Sequence, residues 1–258
     1  MRIIVVGNEK GGAGKSTIAT HLAVALAHEG ARTVAVDLDL RQRSADRFYA
    51  NRAHWIAARK AELPSPRVLD GVADADGLER ALGSLADTDF LVIDTPGADT
   101  ELARAAHCRA DMIVTPMNDS FVDFDLLGRI DPVTLDVVRP GLYAETVWEA
   151  RKARAAAGGR SIDWVVLRNR LSSSDPRNRR RVDERVKALS RRVGFRPIAG
   201  LRDRVIYREL FPFGLTVADL GAGARPGPFS LGHVVARQEL RVMMADLGLV
   251  AGAAMAAE

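Results

Sequence analysis

A glycine-rich segment between an apolar run and a helical pattern is the feature that most limits how this chain can fold. The run Ile3–Val6 is rich in β-branched residues and predicts a buried strand. Gly7–Thr17 follows, and from Ser16 to Glu29 the apolar residues recur at helical spacing. Small residues let backbone N–H groups point at oxygen atoms, and the next helix presents its positive end. The segment therefore predicts a phosphate-binding loop.

The side chains of this loop indicate a nucleotide site. Lys15 supplies a positive charge near the β- and γ-phosphates, and the Ser16 hydroxyl is a magnesium ligand in such loops. The usual spacing requires a glycine at position 9, where this chain has Glu9, and a second lysine, Lys10, stands at the start of the loop. A glycine turn without a ligand is the disfavoured alternative. The predicted nucleotide-binding residues are Lys10, Gly11, Gly12, Ala13, Gly14, Lys15, Ser16 and Thr17.

Short apolar runs alternate with helical stretches along the rest of the chain. The predicted strands are Thr33–Val36, Phe90–Ile93, Met112–Val114 and Trp164–Leu167. This alternation predicts an α/β fold, a doubly wound and mostly parallel sheet with helices on both faces, in one domain over residues 1–258. Ligands in such sheets bind beyond the carboxyl ends of the strands. The polar residues at or just past those ends are Asp37, Asp39, Asp94 and Asn169.

Composition excludes several other classes of protein. Of 258 residues, 47% are hydrophobic and 27% are charged, which argues against disorder and against a membrane protein. The single cysteine, Cys108, cannot form an internal disulfide. The N-terminal apolar run is too short for a signal peptide, so we expect a cytoplasmic protein.

Positive charge is concentrated in one segment of the chain, Arg168–Arg204, which we call the basic district. Arg168–Arg204 contains thirteen basic and four acidic residues, a local net charge of +9, whereas the remainder carries −5. On a helix, Arg177–Arg196 has an apolar stripe and a basic outer face, which favours duplex DNA backbone as the partner, since no aromatic residues are interleaved for stacking. A solvated surface helix remains the alternative. The candidate DNA-binding residues are Arg177, Arg180, Arg181, Arg191 and Arg202.

The two-lysine loop resembles the deviant Walker A motif of the ParA/MinD superfamily of ATPases. Val36–Asp39 and Leu91–Gly97 resemble the first and second switches of that superfamily. The resemblance implies ATP and Mg²⁺ as ligands, and a dimer in which Lys10 reaches the phosphates of the partner.

The same resemblance assigns roles to individual residues. It makes Asp39 the residue that positions the attacking water, with Lys10 and Lys15 also catalytic. It places Asp37 near the magnesium, which Ser16 ligates and Asp94 holds through water. Asn169 would contact the base, and a buried structural asparagine is an equal alternative.

Longer segments narrow the resemblance within the superfamily. Paired cysteines and a basic amphipathic C-terminal helix, which characterise other branches, are not found in the sequence. Thr115–Asp125, Asp163–Leu171 and Gly200–Thr216 are similar to the MipZ family. That resemblance implies a nucleoid-associated homodimer with slow ATP hydrolysis, which binds DNA without sequence preference, interacts with ParB, inhibits FtsZ polymerisation and does not bind membranes. A segregation ATPase of the ParA type is the alternative, and a metabolic phosphate-loop transferase is a third.

Overall fold

A computed structural model describes residues 1–118, 125–131, 137–169, 184, 186–222 and 230–250. Its strands are β1 Arg2–Val6, β2 Thr33–Asp37, β3 Arg67–Val68, β4 Phe90–Asp94, β5 Met112–Asn118, β6 Gly128–Ile130, β7 Val137–Pro140, β8 Asp163–Asn169 and β9 Arg196–Ala199. Its α-helices are α1 Lys15–His28, α2 Ser44–Arg59, α3 Ala75–Gly83, α4 Glu101–Arg109, α5 Leu142–Ala156, α6 Val205–Leu210 and α7 Leu231–Asp246.

Seven strands form a parallel sheet in the order β3-β2-β4-β1-β5-β8-β9. The strands β6 and β7 pair separately as an antiparallel hairpin. Alternate residues of β1 point to opposite faces, so Ile4 and Val6 pack with α1, α2 and α7, whereas Ile3 and Val5 pack with α3, α4 and α5. Helices therefore cover both faces, and the predicted fold class is confirmed.

The strand β5 runs further than the sequence pattern indicates. We expected the fourth strand to end at Val114, before Thr115 and Pro116, but β5 continues to Asn118. Proline is tolerated there because β1 ends at Val6, which pairs with Val114, so one side of β5 has no strand neighbour at Pro116. The other side pairs with β8 up to Asn118 and Asn169.

The basic district does not form one helix up to Arg196. Residues 186–189 are helical, and a π-helical turn, Ser190–Gly194, follows. Gly194 has φ 82°, which reverses the chain into β9. Arg196 thus lies in a strand and pairs with Asp163 at 2.9 Å. Of the predicted loop from 221 to 228, the structure describes residues 221 and 222, which close a 3₁₀ turn.

A buried ion pair ties α2 to the segment that precedes α7. All five N–H groups of Arg52 donate, two to the carboxylate of Asp219 at 2.8 and 2.9 Å and the others to Ser65, Pro64 and Gly214. Asp219 is fully buried and also accepts from the backbone and hydroxyl of Thr216. Because every charge and donor is satisfied, the pair fixes how three chain segments pack.

Removing the positive partner should destabilise the fold strongly. Arg52→Met leaves the Asp219 carboxylate buried with only His28 and Thr216 as partners, and we expect the free energy of unfolding to fall by about 3–5 kcal/mol. Urea denaturation measures the loss. Arg160→Met, at an exposed arginine, is the matched control and should change stability by less than about 0.5 kcal/mol. Similar losses for both variants would contradict a specific role for the ion pair.

Candidate nucleotide-binding site

The parallel register brings the predicted site residues to one edge of the sheet. Asp94 is the register partner of Val6 on one side and of Asp37 on the other. Val6 directly precedes the phosphate loop, and Asn169 ends β8 two strands away, beyond β5. The loop, both aspartates and Asn169 therefore meet at the carboxyl ends of the strands, as the sequence predicts.

The phosphate loop has the backbone that its glycines require. Gly12 and Gly14 have φ values of 77° and 91°, and Gly14 is the N-terminal cap of α1. The Lys15 ammonium folds back and donates to the carbonyl oxygen of Lys10 at 2.8 Å, which closes the loop. Burial lowers the pKa of Lys15, against the opposing effect of Asp94 and Asp39. The loop is thus arranged around a buried cation before any phosphate binds.

Asp94 is the most unusual carboxylate in the site. It is 1% exposed, and neither carboxylate oxygen meets hydrogen-bond geometry with a partner in the described ranges. Burial, and after it the charge of Asp37, raises the pKa of Asp94 to about 8, against the opposing effects of the Ser16 hydroxyl and Lys15. A buried carboxylate without a hydrogen-bond partner is stabilised by protonation or by a bound cation.

Asp37 and Asp39 hold the segment between β2 and α2. The Asp37 carboxylate accepts from the backbone N–H groups of Asp39, Ala45 and Asp46, and so caps the first turn of α2. Burial raises its pKa. Asp39 is half-buried and accepts from the N–H groups that follow it, at residues 41 and 42. Asp37 therefore has a structural role in addition to the predicted one near the metal.

The oxygen atoms around Asp94 fit a magnesium ion bound mainly through phosphate and water. The described part of the chain has no group of three His, Cys, Asp or Glu side chains that could hold a metal without help. Mg²⁺ is usually held by one or two carboxylates, water and substrate phosphates. The two unpartnered oxygens of Asp94 beside the Ser16 hydroxyl match that chemistry, so the fit supports Ser16 and Asp94.

The segment after Asp94 touches the phosphate loop directly. A Cβ on Gly97 would lie 3.1 Å from the Gly11 nitrogen and 3.2 Å from the Lys15 ammonium. Only a glycine fits between these groups without moving them. The second switch predicted from the sequence therefore packs against the loop through Gly97.

A cavity of about 280 Å³ opens beside the end of the phosphate loop. Asn169 lies on its wall, and its amide donates to the carbonyl oxygen of Ala13 at 3.1 Å. Asn169 therefore supports the loop, and its contact with a base stays a prediction. The remaining wall is formed by Gly14, Thr17, Leu201, Arg202, Asp203, Arg204, Tyr207, Arg208 and Phe211.

The sequence interpretation missed most of this wall. Residues 201–211 follow β9, and a ligand beside a parallel sheet lies past its strand ends. Because the segment ending at Arg196 was interpreted as a helix, the strand was not recognised, and neither was the cavity behind it. The signal was present in Gly194, a helix-stopping residue directly before Phe195 and Arg196.

The candidate DNA-binding residues lie in different parts of the chain. Arg177, Arg180 and Arg181 lie outside the described residues. Arg191 is exposed on the π-helical turn. Arg202 borders the cavity beside Asn169 and lies 3.5 Å from Glu239, which also forms a two-bond pair with Arg204.

The fold and this loop together define a nucleotide-binding ATPase of the ParA/MinD superfamily. A family model described as ATPase MipZ matches residues 2–251. The chain belongs to the MipZ family. Within the described ranges, the helices are all too short or too polar to cross a membrane.

More distant relatives agree with this assignment. The chain is 25% identical to the chromosome partitioning protein ParA of Caulobacter vibrioides over 225 residues, which cover 68% of the chain and 84% of the relative. It is 29% identical over 124 residues to the protein ParA of Rhizobium radiobacter, where the match spans 48% of the chain and about half, 51%, of that protein. It is 28% identical to the septum site-determining protein MinD of Helicobacter pylori over 157 residues, 50% of the chain and 59% of that protein.

Solved structures of low identity share the fold. The MinC:MinD cell division complex of Aquifex aeolicus matches with a TM-score of 0.62 and 15% identity. The match covers 98% of the present protein and 97% of the Aquifex chain. An ATP complex of McdA from Cyanothece matches with a TM-score of 0.63 and 14% identity, covering 98% of each chain.

The raised pKa of Asp94 predicts a measurable effect of pH on the nucleotide-free protein. Asp94 has a pKa of about 8 in the folded chain and ~3.9 when unfolded, so its protonation stabilises the fold fully below pH ~4. That contribution is lost as pH rises through about 8. Relative to Asp94→Asn, the wild type should therefore lose free energy of unfolding between pH 5 and 8, by up to ~1.4 kcal/mol per pH unit. Urea denaturation in EDTA measures it.

Asp76→Asn, at an exposed aspartate in α3, is the control for removing a carboxylate. It should follow the wild-type profile. If the free energy of unfolding of Asp94→Asn also runs parallel to that of the wild type over this range, the buried carboxylate has an ordinary pKa. The inference that it requires a proton or a cation is then wrong.

Proposed function

We propose that the protein is an ATP-dependent dimerisation switch that positions the division site by inhibiting FtsZ. Its ATP-bound dimer binds DNA without sequence preference and interacts with ParB, and slow hydrolysis returns it to the monomer. Membership of the MipZ family and similarity to ParA and MinD proteins support this proposal. We further propose that residues 1–258 act as one ATPase domain in the cytoplasm, on the nucleoid.

The observation that supports a dimer is that the outer edge of the phosphate loop has no side chains. Gly11 and Gly12 are exposed, and a Cβ on either would meet no atom within 4 Å. Gly12 needs glycine for its φ of 77°, but Gly11 has no such requirement. A residue without a side chain at a position that has room for one is explained if another backbone approaches it. We assign that backbone to a second copy, whose phosphates Lys10 reaches.

ATP and Mg²⁺ fit this site through the residues already described. Lys15 and the loop N–H groups bind the phosphates, and the base occupies the cavity that Asn169 borders. Ser16 and Asp94 hold Mg²⁺, with Asp37 behind them, and the ion supplies charge neutralisation on the phosphates. Asp39 positions the attacking water, since it is half-buried beside Lys15 and its carboxylate is anchored by the backbone.

The basic district supplies the DNA surface. Arg191 and Arg192 are both exposed, whereas Arg196 and Arg204 are occupied by Asp163 and Glu239. Within the described residues, each subunit therefore offers a small patch, which alone binds duplex weakly. Pairing two patches in a dimer makes the second attachment intramolecular and raises the apparent affinity by about 10²–10⁴. DNA binding thus depends on ATP through dimerisation.

FtsZ sedimentation separates this proposal from its alternative. The protein loaded with ATP should reduce the amount of FtsZ polymer recovered in the pellet, and the protein loaded with ADP should not. A segregation ATPase of the ParA type would bind ATP and DNA but leave the pellet unchanged. An activity that requires a small-molecule phosphate acceptor would instead favour the metabolic transferase.

A side chain at Gly11 should block dimerisation without affecting the monomer. Gly11→Val enters open space at an ordinary φ. The melting temperature of the monomer should therefore match that of the wild type, and its Kd for nucleotide should stay within twofold. Gel filtration with ATP should show monomer only. Gly83→Val is a control for substituting an unobstructed glycine away from the site, and should still dimerise. A Gly11→Val dimer would contradict a backbone-to-backbone approach here.

Removal of the Asp39 charge should trap the ATP dimer. Asp39→Asn keeps the side-chain oxygen that accepts from residues 41 and 42, so the segment before α2 stays in place. The hydrolysis rate should fall at least about 100-fold, within the range of general base contributions, and dimer should accumulate with ATP. Phosphate release and gel filtration measure both. Normal turnover of this variant would remove Asp39 from the catalytic role.

The DNA surface should be visible in the salt dependence of binding. Replacement of Arg191 and Arg192 by alanine removes four phosphate contacts per dimer if each makes one. The slope of log K against log salt should then flatten by about 3 to 4 units. Filter binding on two unrelated duplexes measures it, with alanine at the exposed Arg139 and Arg160 as the matched control. Equal slopes for wild type and variant would place the surface elsewhere.

A further inference from the structure

A buried chain of hydrogen bonds lies beneath the start of the phosphate loop. It links Trp164 in β8, Thr115 in β5, Tyr143 in the first turn of α5 and His107 near the end of α4. The indole Nε1 of Trp164 donates to the Thr115 hydroxyl at 3.0 Å, and the Thr115 and Tyr143 hydroxyls are 3.5 Å apart. The Tyr143 hydroxyl is 2.9 Å from Nε2 of His107. All four side chains are at most 3% exposed.

The partners of this chain fix the direction of its protons. The Nδ1 atom of His107 lies 2.6 Å from the carbonyl oxygen of Ala103, which can only accept, so Nδ1 carries the proton. Burial lowers the pKa of His107, which keeps the ring neutral. Nε2 is therefore an acceptor, and the Tyr143 hydroxyl donates to it. The Tyr143 oxygen in turn accepts from Thr115, and Thr115 accepts from Trp164.

This chain packs against the first residue of the loop. A Cβ on Gly7 would lie 2.5 Å from the Tyr143 hydroxyl oxygen and 2.7 Å from Nε2 of His107. Gly7 is not among the glycines with positive φ, so its backbone does not require glycine. The space taken by Tyr143 and His107 requires it instead, and the Gly7 N–H is held by the Val114 carbonyl at 3.0 Å.

The next two residues of the loop are held by the same elements. Thr146, one turn after Tyr143 on α5, donates to the Glu9 carboxylate at 2.8 Å. The Asn8 amide donates to the carbonyl oxygen of Pro116 at 2.8 Å, in the strand that carries Thr115. Residues 7–9 are thus fixed from below by α5, β5 and α4.

We propose that Tyr143 and His107 are positioning residues for nucleotide binding, which act by holding residues 7–9 in the shape that receives the triphosphate. The proposal rests on the phosphate loop's being the ATP site and extends that site to groups that touch no ligand. A loop held in its bound shape does not have to be ordered when the nucleotide binds. Loosening it reduces the fraction of competent loops and lowers the apparent affinity by the same factor.

The test compares nucleotide affinity with stability. Tyr143→Phe removes one hydroxyl, keeps the ring against Trp164, and leaves the His107 acceptor unpaired. We expect the Kd for ADP and the KM for ATP to rise about three- to tenfold, with kcat within twofold, since Asp39 is untouched. Thr33→Val is the matched control. It removes a buried hydroxyl at the opposite end of the sheet and should lower the melting temperature without changing Kd.

Gly7→Ala in both backgrounds gives a second, independent readout. In the wild type its Cβ collides with the Tyr143 oxygen and with Nε2 of His107, so nucleotide affinity should fall at least about tenfold. When Tyr143 is phenylalanine only the His107 contact remains, so the fall should be smaller. A Gly7→Ala variant with the nucleotide affinity of the wild type, or a Tyr143→Phe variant that loses melting temperature while its Kd stays within twofold of wild type, would overturn the proposal. A wild type that binds no nucleotide would instead refute the ATP site itself.

Discussion

The parallel pairing of β1 with β4 and β5 is the constraint from which the site follows. Because parallel neighbours end on the same edge, the register that aligns Val6 with Asp94 also places the phosphate loop beside the acidic end of β4. The pairing of β4 with β2 then adds Asp37. A shift of one residue in either register would turn Asp94 to the other face of the sheet. The buried, β-branched cores of these strands hold the register, so the hydrophobic layers and the site depend on the same contacts.

This alignment brings charged side chains together at a buried edge of the sheet, where the fold alone satisfies them incompletely. Asp37 and Asp94 are both buried, each has a raised pKa, and Lys15 between loop and sheet has a lowered one. Asp37 offsets its burial with three backbone N–H groups, whereas Asp94 has none. The site is therefore least satisfied when empty. The proposed cation and phosphates would relieve both signs of charge together, which would couple occupancy of the site to its stability.

The sequence predicted the parts of this site that depend on local pattern. A glycine-rich loop after an apolar run and acidic residues after Ile93 and Val36 were sufficient to place Lys15, Asp94 and Asp37. It did not predict β9, because Arg196 reads as one more basic residue of a helix until its pairing with Asp163 is seen. Nor did it predict that Gly7 is required by Tyr143, 136 positions away in the sequence. Contacts between distant segments decide both features, and neither has a local period.

The phosphate loop is held from its inner side by side chains from several elements. Lys15 bonds the Lys10 carbonyl, Asn169 bonds the Ala13 carbonyl, and Thr146 bonds Glu9. The outer edge at Gly11 and Gly12 touches nothing within the described chain that a side chain would meet. A loop fixed below and bare above changes little in shape when nucleotide binds. In the proposed dimer, what changes is the charge of the loop and what it presents. The nucleotide would then form part of the surface that a second subunit recognises, and its hydrolysis would remove that surface without refolding the loop.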